Sequence, residues 1–312
     1  MTTAFDVLTI GETMVLVTPE PGAHLAQGER CVLGTAGAES NVAIGLQKLG
    51  ARAAWHSRLG EGTLGDLVQN EIADAGVAVG SVVRDGGAPT GTMFKQQRPE
   101  GSTEVIYYRK GSAAAGLSIE DLPLLPTATI IHLSGVTAAI SESALGLSRA
   151  LLARSTHESL VSFDVNYRPV LWENREAAAA ELLSLARAAD IVFVGRDEAE
   201  SLWGTATAAE IRALLPDVAH LIVKDADIAA HEFSGDTSTE VPANSITVVD
   251  PVGAGDAFAA GWLASHLAGL SAEQRLHHGH RLASLVLQSV TDQTSEHVEP
   301  ILRTAASAKD SQ

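Results

Sequence analysis

Short runs of almost wholly apolar residues recur along this chain, with helical segments between them. Val7-Leu8-Thr9-Ile10-Gly11, Ala54 to Leu59, Thr129 to Leu133, Leu160 to Val165, Ile191 to Val194 and His220 to Lys224 are such runs. A strand with one wet face alternates apolar and polar residues. A strand buried on both faces does not, and parallel sheets covered by helices are built from strands of that kind. Between the runs, Ser40 to Leu49 has helical spacing and stops at Gly50, and Leu64 to Ala75 stops at Gly76; glycine there suits a helix C-terminus. The expected fold is therefore α/β, a doubly wound, mostly parallel sheet sandwiched by helices.

Two stretches depart from this pattern. Residues 12–36 and 88–112 alternate apolar and polar, as in Thr92-Met93-Phe94-Lys95-Gln96-Gln97 and Glu104-Val105-Ile106-Tyr107-Tyr108-Arg109. Period-2 alternation predicts antiparallel strands standing off the main sheet, read here as a small β lid. Residues 1–305 then form one domain with its lid, and 306–312 a polar tail.

The formal net charge is −17, which excludes nucleic acid and anionic membranes as partners that need a basic surface. Any site for a phosphorylated ligand must gather positive potential locally, from helix N-termini, a few Arg and Lys, and a divalent cation. Cys31 is the only cysteine, so neither an intrachain disulfide nor a cysteine metal framework is expected. No secretory signal or membrane-spanning run is legible, and a cytoplasmic protein is the expectation.

The segment that carries the most chemistry is Ile246-Thr247-Val248-Val249-Asp250-Pro251-Val252-Gly253-Ala254-Gly255-Asp256-Ala257-Phe258. It reads as strand, glycine turn, helix. Gly253, Ala254 and Gly255 can turn backbone N–H groups toward an anion, and the helix that follows aims its positive end at the same point. Such an anion hole suits the charge on a transferring phosphoryl group. Asp256, in the first helical turn, can take the proton of an attacking hydroxyl. The plainer alternative is a strand-to-helix turn with an ordinary N-terminal acid.

This segment resembles the signature of the ribokinase-like (phosphofructokinase B type) sugar kinases. Gly34-Thr35-Ala36-Gly37-Ala38-Glu39-Ser40-Asn41 is similar to that family's sugar-binding loop, and Arg58 to Gly65 to its next glycine turn. The resemblance implies a parallel α/β sandwich with a β lid often used for dimerisation, and phosphorylation of a sugar hydroxyl with ATP and Mg2+. Ser162 to Trp172, with Asp164-Val165-Asn166-Tyr167-Arg168, resembles the corresponding run of 2-keto-3-deoxygluconate kinases. The resemblance assigns Gly37, Ala38, Glu39, Asn41, Tyr107, Tyr108, Arg109, Arg168 and Asp292 to the sugar. It assigns Asn166, Arg168, Lys224, Gly253, Gly255 and His280 to ATP, and Glu198 indirectly to the metal. An arginine fork binds a carboxylate at two points, so Arg109 and Arg168 favour a sugar acid over a neutral sugar. As the bland alternative, both arginines are surface ion-pair partners.

Several positions depart from the family pattern. Lys224-Asp225-Ala226-Asp227-Ile228-Ala229 has alanine at both usual glycine positions, and a different loop shape is expected there. His280 and Ala283 stand where Asn and Gly are usual. Two rival readings follow. One is a sugar-binding relative with an impaired nucleotide site. The other is an NAD-dependent dehydrogenase, since Gly60-Glu61-Gly62-Thr63-Leu64-Gly65 fits G-x-G-x-x-G with Asp85 beyond it. His277-His278-Gly279-His280 reads as an exposed helix turn rather than a metal site.

Overall fold

The computed structural model describes residues 4–20, 23–98, 103–153, 159–289 and 296–302. The chain opens with β1 (Phe5–Ile10), then leaves the main sheet for β2 (Met14–Pro19) and β3 (Cys31–Ala36) before α1 (Ala38–Lys48). Next come β4 (Ala53–His56), β5 (Arg58–Gly60), α2 (Thr63–Asp74) and β6 (Val83–Asp85), followed by β7 (Thr92–Gln97) and β8 (Thr103–Tyr108). The alternation resumes with β9 (Ala128–Ser134), α3 (Gly135–Ala139), α4 (Glu142–Leu152), β10 (Leu160–Asp164) and α5 (Arg175–Ala188). It continues through β11 (Ile191–Gly195), α6 (Arg196–Trp203), α7 (Ala208–Leu214) and β12 (His220–Asp225). A hairpin of β13 (Ala229–Ser234) and β14 (Thr237–Pro242) precedes α8 (Ala254–Leu267) and α9 (Ala272–Leu287).

The main sheet has eight strands in the order β14-β13-β12-β11-β10-β9-β1-β4. The six from β12 to β4 are parallel, and β13 and β14 add an antiparallel edge. Successive residues of one strand enter different cores, which is why the runs are mostly apolar, with a few buried polar residues such as Thr9, His132 and Ser162. Ile191 and Phe193 pack in a cluster with α1, α2, α8 and α9; Val192 and Val194 pack with α4, α5, α6 and α7. Each fully buried phenylalanine such as Phe193 removes enough apolar surface to contribute roughly 2–3 kcal/mol. No helix among the described residues is long and apolar enough to cross a membrane.

The parallel strands β10, β11 and β12 all end on one side, with Asp164, Gly195 and Lys224 at or near their last positions. Open α/β sheets leave their ligand crevice outside such carboxyl ends. Helix α8 brings a further group to that crevice. It is buried from Asp256 to Ser265, and small residues allow this. A Cβ on Gly261 would lie 2.5 Å from the His278 carbonyl oxygen of α9. The helix is therefore wedged and cannot shift without disturbing the core.

The second sheet has the order β3-β2-β7-β8. Its hairpins β2–β3 and β7–β8 are antiparallel, but the two hairpins join through β2 and β7 in parallel, with Leu16 opposite Met93. The expectation of antiparallel pairing throughout fails at that join. The chain returns to the main sheet between the hairpins, so β7 enters running the same way as β2. Met14, Leu16, Ala36 and Met93 form a small core on one face. Val32, Leu33, Ile106 and Tyr108 are exposed.

Three other local expectations change. Ile246 to Val249 is not a strand. Edge strand β14 ends at Pro242, and the following segment is held to α9 by Val249 N–H donating to the Leu287 carbonyl at 2.8 Å. Its apolar side chains Ile246 and Val248 line a cavity instead of a sheet face. Ala54 to Leu59 is two strands, because the chain leaves β4 at Ser57 and pairs β5 with β6. The histidine turn in α9 is exposed at His277 alone: His278 meets Ser265 Oγ at 2.8 Å and His280 is buried. Among the described residues no group of three or more His, Cys, Asp or Glu could hold a metal ion.

The loop after β12 keeps a glycine-like backbone despite its alanine. Ala226 has φ 42°, in the left-handed region that non-glycine residues disfavour. Its side chain is exposed, so removing the methyl group forfeits no packing. Ala226→Gly is expected to raise unfolding stability by about 0.5–1 kcal/mol, measured by urea titration. A loss of stability would show that the loop is unstrained.

Candidate active site

The crevice is a cavity of about 1120 Å³ between the main sheet, α1, α8 and the second sheet. That volume exceeds the usual range for one small ligand and leaves room for two side by side. Gly37, Ala38 and Asn41 of α1, Tyr107 and Arg109 beside β8, and Asn166, Tyr167 and Arg168 after β10 line it. So do Lys224, Gly253 to Asp256, Phe258, His280 and Ala283.

Asp256 sits at the centre. Gly253, with φ 82°, caps α8 and turns the chain so that Asp256 falls in the first helical turn. Asn41 Nδ2 donates to Asp256 Oδ2 at 2.9 Å, and Asn166 Nδ2 reaches Oδ1 at 3.5 Å. Burial pushes the Asp256 carboxyl up to about 8; the Asn41 hydrogen bond opposes this, the Asp164 charge adds to it, and Arg168 and Lys224 pull it down. Asn166 itself is held at φ 36°, a left-handed conformation that asparagine tolerates better than most residues.

Lys224 lies beneath the glycine turn. Its Nζ donates to Asp164 Oδ2 at 2.8 Å, and a Cβ on Gly255 would be 3.3 Å from it. Burial alone would lower the Lys224 pKa, but Asp164 and Glu198 outweigh it and hold the ammonium protonated. Glu198 Oε1 and Oε2 accept from Tyr167 N–H at 3.0 Å and Gly195 N–H at 2.9 Å. Burial and the neighbouring Asp164 charge raise the Glu198 pKa.

The two arginines differ. Arg109 Nη2 lies 2.5 Å from Glu12 Oε2, a buried ion pair. Arg168 is half exposed, at 53 % for its side chain; its Nη1 donates to its neighbour's carbonyl at 3.3 Å and lies 4.0 Å from Glu198. Arg109 is therefore no surface ion pair, whereas Arg168 is an exposed arginine with a long contact to Glu198. Of the two, Arg168 has the greater freedom to turn its fork to an incoming anion.

Other sequence-assigned residues fall outside the cavity. Glu39 is fully buried beneath it, accepting from the Ser134 N–H and Oγ and from Thr137 Oγ1, with burial raising its pKa. It braces α1 against β9 and cannot touch a ligand in the cavity. Tyr108 is 67 % exposed and lies across β8 from Tyr107, because side chains alternate along a strand. Asp292 and the tail 306–312 lie outside the described residues. His280 lines the cavity, with Nε2 3.1 Å from the Val241 carbonyl and its ring edge-on to Phe258.

The structure adds residues that sequence reasoning passed over: Glu12, Lys95, Asp164, Asp197 and Asp227 also line the cavity. Asp164 was visible as the first residue of the Asp-Val-Asn-Tyr-Arg run. Lys95 was visible too, since it shares the strand face of Met93, two residues earlier. The cavity therefore presents four cationic side chains, Lys95, Arg109, Arg168 and Lys224, against six carboxyl groups, Glu12, Asp164, Asp197, Glu198, Asp227 and Asp256. A polyphosphate entering such a site needs further positive charge. Asp164 and Glu198 suit a divalent cation that keeps most of its waters, and no all-protein cage is present among the described residues.

The parallel sheet with its crevice, the second sheet and the glycine turn before α8 define a sugar phosphotransferase. The chain belongs to the pfkB family of carbohydrate kinases: the profile described as "pfkB family carbohydrate kinase" matches residues 4–299. It is 32 % identical over 294 residues to the 2-dehydro-3-deoxygluconokinase of Bacillus subtilis (strain 168), covering 92 % of this chain and 91 % of that one. It is 31 % identical over 258 residues to Fructokinase-1 of Zea mays, covering 81 % and 80 %. Among solved structures, a PfkB protein from Polaromonas sp. JS666 matches with TM-score 0.83 and 32 % identity, over 92 % of this chain and 97 % of that one.

Proposed function

We propose that this carbohydrate kinase transfers the terminal phosphoryl group of ATP to a hydroxyl of a sugar acid, 2-keto-3-deoxygluconate, giving its 6-phosphate. The observation that carries the acceptor class is Arg168, a half-exposed guanidinium at the cavity wall able to fork onto a carboxylate. The similarity to a 2-dehydro-3-deoxygluconokinase supports the same choice. The similarity to a fructokinase supports a neutral ketose as the second reading.

In this reading the acceptor lies against Gly37, Ala38, Asn41, Tyr107 and Arg168. A Cβ on Gly37 would lie 2.4 Å from the Glu12 carbonyl oxygen, so only glycine fits at the start of α1. Asp256 takes the proton from the attacking hydroxyl as its oxygen bonds to phosphorus and the bond to the leaving diphosphate breaks. The Gly253–Gly255 amides, the N-terminus of α8 and Lys224 face the charge on the transferring group. Asp164 and Glu198 would hold a hydrated Mg2+, which would supply positive charge against the phosphates. Ala226, Ala230, Asn244, Ile246, His280 and Ala283 form the end of the cavity left for the nucleotide.

Ala226 keeps its left-handed backbone, which counts against an impaired nucleotide loop. None of Gly60 to Gly65 lines the cavity, and Asp85 pairs with Gly60 in a two-stranded sheet, so a dinucleotide site there has no support. The exposed apolar face of the second sheet, with Leu33, Ile106 and Tyr108, fits docking of a second copy.

The test is a screen with MgATP against 2-keto-3-deoxygluconate, fructose, ribose, tagatose and 5-keto-2-deoxygluconate. The first is expected to give the highest kcat/KM; a preference for fructose would replace it. Arg168→Lys is expected to raise KM for the sugar acid about tenfold through loss of the forked contact, with less than a twofold change for fructose. Equal changes for both would remove the carboxylate argument.

A further inference from the structure

Strand β7 carries one charged side chain into the interior. Lys95 is 4 % exposed, and its Nζ lies 2.5 Å from Asp250 Oδ2. Asp250 belongs to no strand of either sheet. It heads the turn that ends at Asp256, and its other oxygen, Oδ1, accepts from the Val252 N–H at 3.1 Å. One buried carboxylate thus joins the second sheet to the turn: Oδ2 faces the ammonium, and Oδ1 shapes the backbone one residue before Gly253.

Stability does not explain this pair. Desolvating an ammonium and a carboxylate offsets most of their attraction, and apolar side chains at both positions 95 and 250 would be about as stable, the one at 95 extending the small core of Met14, Leu16 and Met93. The ammonium also borders the cavity, so the contact is made where the second sheet meets the site.

We propose that Lys95 is a positioning residue for phosphoryl transfer: its ion pair with Asp250 fixes the Pro251–Gly255 turn, and with it the amides before Asp256, when the second sheet lies over the cavity. The catalytic part of this inference rests on the kinase reading of the site. Asp250 also keeps a bond to Val252 when Lys95 is lost, so the turn loosens without unfolding. Arginine can restore the ion pair; methionine, of similar length, cannot.

The experiment uses the full chain with Lys95→Met, Lys95→Arg and Asp250→Asn. Hydrogen exchange of the ligand-free protein is read first, since it needs no substrate. Lys95→Met and Asp250→Asn are expected to speed exchange at residues 252–257 about tenfold, with Lys95→Arg close to the parent protein and the main-sheet strands unchanged. Steady-state kinetics on the best sugar are expected to show kcat about 30-fold lower in Lys95→Met, with KM within twofold and most of the rate recovered in Lys95→Arg. Unchanged exchange at 252–257, or faster exchange across the whole chain, overturns the proposal. So does an unaltered kcat, or an arginine variant as slow as the methionine one. A parent protein that phosphorylates no sugar would instead overturn the kinase reading, and the exchange result would still decide whether Lys95 holds the turn.

Discussion

Asp256→Asn is expected to lower kcat by roughly three orders of magnitude, the middle of the range for losing a general base. The same change is expected to raise the thermal unfolding midpoint at pH 8. The two effects share a cause. Burial holds the folded Asp256 carboxyl near 8, against 3.8 for the free side chain. Between those values the folded protein keeps a proton that the unfolded chain has released. Stability therefore falls as pH rises through that window, and an uncharged asparagine escapes the loss. Scanning calorimetry of the two proteins should show little difference near pH 4 and a growing advantage for the variant up to pH 8. The parent's kcat/KM should rise with pH on a limb near 8, because the base must be ionised in the free enzyme. A variant with most of the parent's rate would remove Asp256 as the base; one without the pH-dependent gain in stability would remove its burial as the cause.

The second large effect is expected at Lys224. Lys224→Met leaves Asp164 buried without the ammonium 2.8 Å away, and leaves the glycine turn without the cation beneath it. Breaking a buried pair on one side typically lowers stability by about 3–5 kcal/mol. Loss of a fixed positive charge beside the reacting group is expected to lower kcat/KM by about 10²–10³. Urea titration and steady-state kinetics read the two separately. A stability change below about 1 kcal/mol would mean that Asp164 finds another partner; an unchanged kcat/KM would mean that the cation does not face the transferred group.

The parallel core was legible because a strand buried on both faces leaves no polar alternation. Phe193 and Val194 enter different cores, yet both are apolar. The glycine turn was legible because Gly253 needs a left-handed backbone and Asp256 follows it at fixed spacing. What the sequence hid came from long-range placement. Ile246 to Val249 reads as a strand because a cavity wall is as apolar as a sheet face. Tyr107 and Tyr108 are adjacent in sequence, and only the sheet decides which looks inward. Glu39 reads as a ligand residue because the family resemblance assigns it together with Ala38 and Asn41, whereas its own side chain turns beneath α1 to Ser134 and Thr137. Ala226 shows the reverse: local preference spoke against a left-handed residue, and the β12–β13 hairpin imposed one.

Helix α8 is walled in along its length, while the segment before it runs over the cavity with Val248 and Val249 half in solvent. Chemistry and recognition are thereby insulated from each other. Substitutions along 243–249 can redraw the far end of the cavity while Asp256 stays anchored in the core. In a lineage built on this plan the far end of the cavity is free to vary through half-exposed residues, and the buried aspartate passes through those changes unaltered.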